Sequence, residues 1–295
     1  MYSRVIIATD LSPASKKIVE HAKDLKALGT SEIVLLQCVS AMEAASAAYS
    51  ESERRITALL ESQEKVLAGY GFRTSSRVVF GTLHKEVNTI ATEKDASLVV
   101  IGSKGSTLSK DVLLGGVVSE MIQHIERPTL VIRIDKTKAD TETIGILPDR
   151  GAPFPESVLL PTDFSQNAAA AFDHVMKLAT CGARRITLVH VQDMVKLEKS
   201  SKKEIEEYDR VDAIRLDGMK AAILAIDGSI DVSTVVCHGK PAIEILKVSD
   251  AMEPSLIVMG TQGRGFVNEI LLGSVSHAVT RKAKSSILLV PNTHN

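Results

Sequence analysis

The chain has 295 residues, which predicts about two domains, and its 44% hydrophobic content is enough to build real cores. The 35 basic and 36 acidic side chains nearly cancel and aromatic residues make up only 3%, which argues against nucleic acid as a partner. Three cysteines without a CxxC pair argue against a disulfide framework or a zinc site and predict a reducing, cytoplasmic location. No apolar run is long enough for a membrane-spanning helix, so no membrane is predicted as a partner.

The first part of the chain alternates strand patterns with helix patterns. Residues 5–9 form a β-branched run typical of a short strand. Ser12 is a good N-cap and Pro13 suits the first helical position, so a helix is predicted from there to about Leu28, ending at Gly29. Further strands are predicted at 33–38, 74–80, 98–101 and 129–132, and further helices at about 50–68, 83–94 and 117–126.

The second part repeats the pattern of the first. Residues 158–163 correspond to 5–10 and residues 186–191 to 33–38, and the second copy has a few extra residues near its second helix. We therefore predict two copies of one domain, residues 1–134 and 157–295.

Two charged or proline-rich stretches need separate interpretation. The segment 135–156 contains three prolines and many charges, which predicts an interdomain linker. The highly charged run 196–210 is either a docking face for a partner or, as we favour, the solvated face of a helix.

A glycine-rich stretch follows the predicted strand 256–259 in the second copy. Gly260 and Gly263 come at the strand end, and Gly273 and Ser274 precede a predicted helix. Glycine permits close approach of backbone to a ligand, and a helix N-terminus offers free N–H groups to phosphate. The spacing is neither the GxGxxG dinucleotide fingerprint nor the GxxxxGK[ST] loop. A glycine-rich surface loop of an ordinary α/β domain is the alternative interpretation.

This glycine spacing resembles the nucleotide-binding signature of the universal stress protein family, and residues 161–165 resemble that family's adenosine-side motif. The resemblance implies an α/β fold of two tandem, doubly wound, five-stranded parallel sheets, Rossmann-like, with strand order 3-2-1-4-5. In such a sheet ligands bind where the winding reverses, here between the first and fourth strands. The two motifs are therefore expected to meet in one crevice.

The resemblance also implies roles for individual residues of the second domain. Asp163 would accept hydrogen bonds from ribose hydroxyls, or form an Asx turn before the helix, or do both. Val191 and Met259 would line the adenine or serve only as core, and Ser274 would bind phosphate and help to cap the last helix. The predicted nucleotide-binding residues are Pro161, Thr162, Asp163, Val191, Met259, Gly260, Gly263, Gly273, Ser274, Val275 and Ser276.

The first domain departs from the motif. Cys38 replaces Val191 and Gly116 stands where Ser274 stands, which predicts weaker binding, although Lys104 could supply a compensating charge. The corresponding residues are Ala8, Thr9, Asp10, Cys38, Ile101, Gly102, Gly105, Gly115, Gly116 and Val117.

These patterns together predict a stress-response or regulatory protein that binds AMP, ADP or ATP, with Mg²⁺ left open as an accompanying ion. The alternatives are a slow ATPase or an interaction protein with vestigial sites. We predict no catalytic residue and no metal site, and we interpret His190 as structural rather than as a general base. The resemblance further implies that the two domains pair through their fifth strands as an intramolecular pseudo-dimer, and a homodimer of the whole chain is compatible with that pairing.

Overall fold

The protein forms two compact units, Met1–Ile146 and Leu147–Asn295. The computed structural model describes residues 1–45, 49–103, 114–136, 142–144, 154–195, 197–263 and 272–292. In each unit, the five strands of the main sheet alternate with helices and pair in parallel, so the predicted α/β class is confirmed.

The five main strands of the first unit pair in the order β3-β2-β1-β4-β5. They are β1 (Arg4–Thr9), β2 (Glu32–Val39), β3 (Arg73–Phe80), β4 (Leu98–Gly102) and β5 (Thr129–Ile132). The helices are α1 (Pro13–His21), α2 (Ala41–Ala44), α3 (Tyr49–Gly69), α4 (Leu83–Glu93) and α5 (Gly116–Met121), with 3₁₀ turns at Ala22–Leu28 and Ile122–His124.

A second pair of strands lies in the segment predicted to be a linker. Strands β6 (Ile134–Lys136) and β7 (Glu142–Ile144) pair antiparallel. The proline and charge content predicted an irregular segment there. A pairing of only three residues on each strand is too short to show in the sequence pattern. The exact domain boundaries stay a prediction.

The second unit repeats the same sheet, with β10-β9-β8-β11-β12 as its strand order. Its strands are β8 (Ser157–Thr162), β9 (Arg185–Asp193), β10 (Asp231–Gly239), β11 (Leu256–Gly260) and β12 (Ser286–Val290). Its helices are α6 (Gln166–Thr180), α7 (Lys202–Leu224), α8 (Pro241–Met252) and α9 (Ser274–Lys282). In chain order within each unit this is the expected 3-2-1-4-5 arrangement.

The central strands of each sheet are buried on both sides because helices cover a doubly wound parallel sheet. Every residue of β11 and β12 is buried, and α6 packs against β8, β11 and β12. The winding reverses between β1 and β4 in the first unit and between β8 and β11 in the second. A ligand crevice is therefore expected beyond the carboxyl ends of these strand pairs.

The charged run near residue 200 becomes part of α7, the longest helix in the described part of the chain. A capping box opens this helix, because the Ser201 hydroxyl accepts from the Glu204 backbone N–H and the Glu204 carboxylate accepts from the Ser201 N–H. Most side chains of its first turns are exposed, as a solvated helix requires. No helix in the described ranges is long and apolar enough to cross a membrane.

His174 on α6 predicts a specific acid sensitivity. Burial of the ring, followed by the positive charge of Lys177, lowers the pKa of His174 from 6.5 to about 4. The folded protein therefore keeps this ring neutral while the unfolded chain takes up a proton near pH 6.5. The unfolded state then binds more protons between these values, so the free energy of unfolding is unaffected above pH 6.5 and falls as the pH drops toward 4.

We expect His174→Gln to remove this part of the acid sensitivity. Urea unfolding of both proteins at pH 7.5 and 4.5 would give a wild-type loss that exceeds the variant's by about 2 kcal/mol. Parallel pH dependence of the two proteins would contradict the assignment to His174.

Candidate functional site

The carboxyl end of β8 leads into a tight turn that presents a carboxylate. Asp163 follows the strand, and its Oδ1 accepts a hydrogen bond from the Ser165 N–H at 3.0 Å. Phe164 has a φ of 59°, a conformation unfavourable for a bulky residue, and its N–H donates to Thr162 Oγ1 at 3.1 Å. Ser165 then caps α6 by accepting from the Ala168 N–H. The predicted Asx turn is confirmed.

The carboxyl end of β11 leads into the glycine turn, which backbone hydrogen bonds hold against the start of α9. The Thr261 N–H donates to the Val290 carbonyl at 3.0 Å, and the Gly273 N–H donates to the Thr261 carbonyl at 2.7 Å. A Cβ added at Gly273 would lie 3.2 Å from that same carbonyl oxygen. A side chain at 273 would crowd this carbonyl, so glycine favours a helix that starts close beside the strand end.

The two turns meet. A Cβ added at Gly263 would lie 2.7 Å from Asp163 Oδ2, which is closer than real side-chain contacts allow. The second carboxylate oxygen of Asp163 therefore faces the backbone of the glycine turn. The sequence motifs, about a hundred residues apart, are in contact at the point where the sheet winding reverses.

Gly260 is a glycine for a reason that the motif did not reveal. A Cβ at this position would lie 2.7 Å from the carbonyl oxygen of Asn167, in the first turn of α6. The end of β11 and the start of α6 are packed so closely that any side chain at 260 would collide with backbone. Helix packing therefore requires this glycine, with or without a ligand.

The N-terminus of α9 lacks a side-chain cap. Gly273 is the N-cap residue and Ser274 is the first helical residue, so the prediction that Ser274 caps the helix is wrong. The extended backbone that precedes a helix falls on Gly273, which has no side chain to offer. The Ser276 hydroxyl is buried and donates to the Gly260 carbonyl at 2.8 Å, so it fixes the helix to the strand end. An uncapped helix start of this kind favours an anion.

The other predicted residues divide between core and surface. Pro161, Val191 and Met259 are buried. Ser274 is exposed at the helix start, and Val275 is half-buried. The structure thus permits both interpretations of Val191 and Met259, as core and as walls of a base pocket.

A buried polar network next to the Asp163 turn went unrecognised in the sequence. His190 Nδ1 donates to the Thr162 carbonyl at 2.8 Å, and its Nε2 lies 3.3 Å from Asp212 Oδ2. The Gln192 side chain also donates to Asp212 Oδ2 at 3.2 Å. Both ring nitrogens of His190 therefore have partners, which agrees with a structural role and leaves neither nitrogen available as a base.

One signal in the sequence could have revealed this network. Asp212, Leu216 and Ile223 are the buried residues of α7, and their spacing places them on one helix face. A carboxylate on an otherwise apolar helix face predicts a buried polar partner. The surrounding charges of α7 hide this signal.

Within the described residues, the first unit repeats the backbone hydrogen bonds at the two strand ends. The Ser103 N–H donates to the Ile132 carbonyl at 2.7 Å, and the Gly115 N–H donates to the Ser103 carbonyl at 2.8 Å. Asp10 Oδ1 accepts from the Ser12 N–H at 3.1 Å and also from the Ser15 hydroxyl. Leu11 has a φ of 57°, like its counterpart Phe164.

Several details differ in the first unit. Helix α5 has only 6 residues before a 3₁₀ turn, whereas α9 has 9. Val118 occupies the position of Ser276, and the Cys38 thiol donates to the Gly81 carbonyl at 3.4 Å. Ile101 and Thr9 are buried, Ala8 and Gly102 are half-buried, and Gly116 and Val117 are exposed. Gly105 and Lys104 lie outside the described residues, as does Arg264 in the second unit.

The fold defines a class: a tandem of doubly wound α/β domains, in the second of which a carboxylate turn lies beside a glycine turn at the switch point. A model described as "Universal stress protein family" matches residues 1–133 and 156–291. The chain therefore belongs to the universal stress protein family, and it carries two copies of the family's domain.

Individual relatives support the same assignment. Universal stress protein MJ0577 of Methanocaldococcus jannaschii is 25% identical over 155 residues, covering 45% of this chain and 96% of that protein. Universal stress protein Rv2623 of Mycobacterium tuberculosis is 25% identical over 223 residues, covering 70% of this chain and 68% of that protein.

Solved structures share the fold over nearly the whole chain. A universal stress protein from Archaeoglobus fulgidus covers 99% of this chain and 97% of its own at 21% identity, with a TM-score of 0.72. Another universal stress protein was solved in complex with cAMP, and it covers 44% of this chain at 23% identity with a TM-score of 0.34.

Proposed function

We propose that the chain binds an adenine nucleotide, AMP, ADP or ATP, as a stress-response or regulatory protein, with its stronger site in the second unit. The observation that carries this proposal is the contact between Asp163 Oδ2 and Gly263 beside the uncapped start of α9. This contact supports the proposal because a carboxylate can accept from sugar hydroxyls and a helix N-terminus can bind phosphate.

Each part of the nucleotide has a counterpart in this arrangement. The ribose hydroxyls donate to the Asp163 carboxylate, whose Oδ1 already accepts from Ser165. The phosphates accept from backbone N–H groups of the glycine turn and of the first turn of α9, with the Ser274 hydroxyl beside them. The adenine packs against Val191 and Met259 at the ends of β9 and β11.

Magnesium would be bound mainly by the nucleotide rather than by the protein. Among the described residues no group of three or more His, Cys, Asp or Glu side chains could hold a metal ion. Phosphate oxygens are ordinary ligands of Mg²⁺, which keeps several waters, so the ion is compatible with the site but is not required to build it.

Binding without rapid hydrolysis is the activity that this site favours. Of the described groups nearest to the Asp163 turn, His190 already has partners at both ring nitrogens. A base that orients a water molecule for attack on phosphate is therefore not apparent among them. We expect ATP to be held rather than turned over at a typical enzymatic rate of about 1–10³ per second.

Thermal unfolding of nucleotide-stripped protein tests the proposal. We expect micromolar affinity, which is a binding free energy on the order of 8 kcal/mol. A ligand at a hundred times its Kd raises the free energy of unfolding by about 2.7 kcal/mol. AMP, ADP and ATP should therefore raise the Tm by several degrees, with GTP as the control for base recognition. No shift with any adenine nucleotide would contradict the proposal and favour an interaction protein with vestigial sites.

We also propose that the two domains pair through their fifth strands, β5 and β12, as an intramolecular pseudo-dimer, and that the protein works in the cytoplasm. The pairing rests on the resemblance and on the apolar character of these strands, and a homodimer of the whole chain stays a prediction.

A further inference from the structure

The buried network beside the Asp163 turn connects the turn to helix α7, which lies outside both nucleotide motifs. Asp212 is 8% exposed and His190 6%, so this is a buried pair of ionisable side chains. Burial of such a pair costs desolvation energy, and packed apolar residues would often serve stability equally well. The contacts of the pair, rather than its contribution to stability, therefore indicate its role.

The network holds the turn at two points. His190 Nδ1 donates to the carbonyl of Thr162, the residue immediately before Asp163. The Phe164 ring, immediately after Asp163, lies 4.7 Å from the His190 ring and 5.2 Å from the Arg215 guanidinium. The residues on both sides of the carboxylate are therefore held by side chains attached to β9 and α7.

Helix α7 supplies the outer support. Asp212 accepts from Gln192 at 3.2 Å through Oδ2, and through Oδ1 it accepts from the Arg215 guanidinium at 3.3 Å. Arg215 is half-exposed, and it joins the carboxylate to the Phe164 ring. The positive φ of Phe164 is unfavourable by itself, and these contacts help to hold it, although Leu11 has the same conformation in the first unit with other neighbours.

The first unit has different residues at two of these points. Gln37 pairs with Thr9 in the sheet just as His190 pairs with Thr162, and its side-chain amide donates to the neighbouring Cys38 carbonyl. Leu11 stands in place of Phe164 and has no aromatic ring to stack. In the first unit the Thr9 hydroxyl, just before Asp10, instead donates to Gln63 Oε1 on α3 at 3.4 Å. The contacts through a histidine, an aspartate and an arginine are therefore particular to the second unit.

We propose that His190, Asp212 and Arg215 are positioning residues, which hold the Thr162–Phe164 turn so that Asp163 presents its carboxylate to the ribose. This role rests on the proposed function and deepens it, because it places control of the second site on α7. Changes at α7 should then alter nucleotide affinity even though this helix carries none of the nucleotide-binding residues.

Asp212→Asn tests this role, and α7 offers a matched control. Asp209, on the same helix, pairs with His238 on the surface at 2.9 Å, so Asp209→Asn removes a comparable His–Asp pair that does not touch the turn. Calorimetry with ADP, in protein whose first site carries Asp10→Ala, should show about a tenfold loss of affinity for Asp212→Asn and less than a twofold change for Asp209→Asn.

A second readout separates positioning from stability and does not depend on nucleotide. In ¹H–¹⁵N spectra of the unliganded protein, Asp212→Asn should shift the Phe164 and Ser165 amide signals, since both amides donate within the turn. Arg215→Gln, at a half-exposed position, should shift the same signals without unfolding the protein and serves if Asp212→Asn does not fold.

Lower Tm with unchanged affinity and unchanged turn amides would overturn the positioning role. Shifted turn amides in a protein that binds no ADP at all would support the positioning role and contradict the proposed function instead.

Discussion

Gly260→Ala should lower the free energy of unfolding of the second unit by about 3 kcal/mol, because the new methyl group would lie within 2.7 Å of the Asn167 carbonyl oxygen. Neither partner can yield easily, since one is the end of a central buried strand and the other is the first turn of α6. Urea unfolding without nucleotide measures the effect.

Gly218→Ala is the matched control for this prediction. Gly218 lies on α7, and a Cβ added there meets no heavy atom within 4 Å. Alanine is favoured over glycine in a helix by about 1 kcal/mol, so this variant should be slightly more stable than wild type. Equal effects of the two substitutions would show that the contact between β11 and α6 is looser than the structure has it.

The second large effect concerns nucleotide affinity. Asp163→Ala combined with Gly273→Val should remove most high-affinity binding, because the first change deletes the ribose acceptor and the second crowds the Thr261 carbonyl, 3.2 Å from the new Cβ. Loss of a hydrogen bond to a charged group costs roughly 1.5–3 kcal/mol, which is about ten- to a hundredfold in affinity. Calorimetry with ADP would measure the loss.

The paired variant in the first unit is the control. Asp10→Ala with Gly115→Val should leave high-affinity binding nearly intact, because Gly116 replaces Ser274 and α5 is short. Asp163→Ala alone, which leaves the glycine turn unchanged, covers the case in which the double variant does not fold. If the first-unit changes abolish binding and the second-unit changes spare it, the ranking of the two sites is wrong.

The local chemistry of the turns was predictable from the sequence. Asp163 follows an apolar strand and precedes a good N-cap at Ser165, and the Asx turn forms as this spacing predicts. The repeat of the strand pattern predicted two similar units, and the sheets have the order that the family resemblance implied.

Contacts between distant elements were less predictable. Gly260 was interpreted as a point where a ligand approaches the backbone. The structure shows that a side chain there would collide with the α6 backbone, a contact that no local sequence pattern reveals. Ser274 was expected to cap α9, but the extended residue before the helix is Gly273. Asp212 is one of many charged residues on α7. Its burial depends on which face of that helix packs against β9, and tertiary packing decides this orientation.

The most direct test of the account is a titration of nucleotide-stripped, ¹⁵N-labelled protein with ADP, followed residue by residue in ¹H–¹⁵N spectra. We expect the first and largest shifts at Asp163, Gly260, Gly263, Gly273 and Ser274, with weaker shifts at Asp10, Gly115 and Gly116 at higher concentration. Saturable shifts confined to other surfaces, or no shifts at millimolar ADP, would contradict a nucleotide site at the junction of the carboxylate turn and the glycine turn.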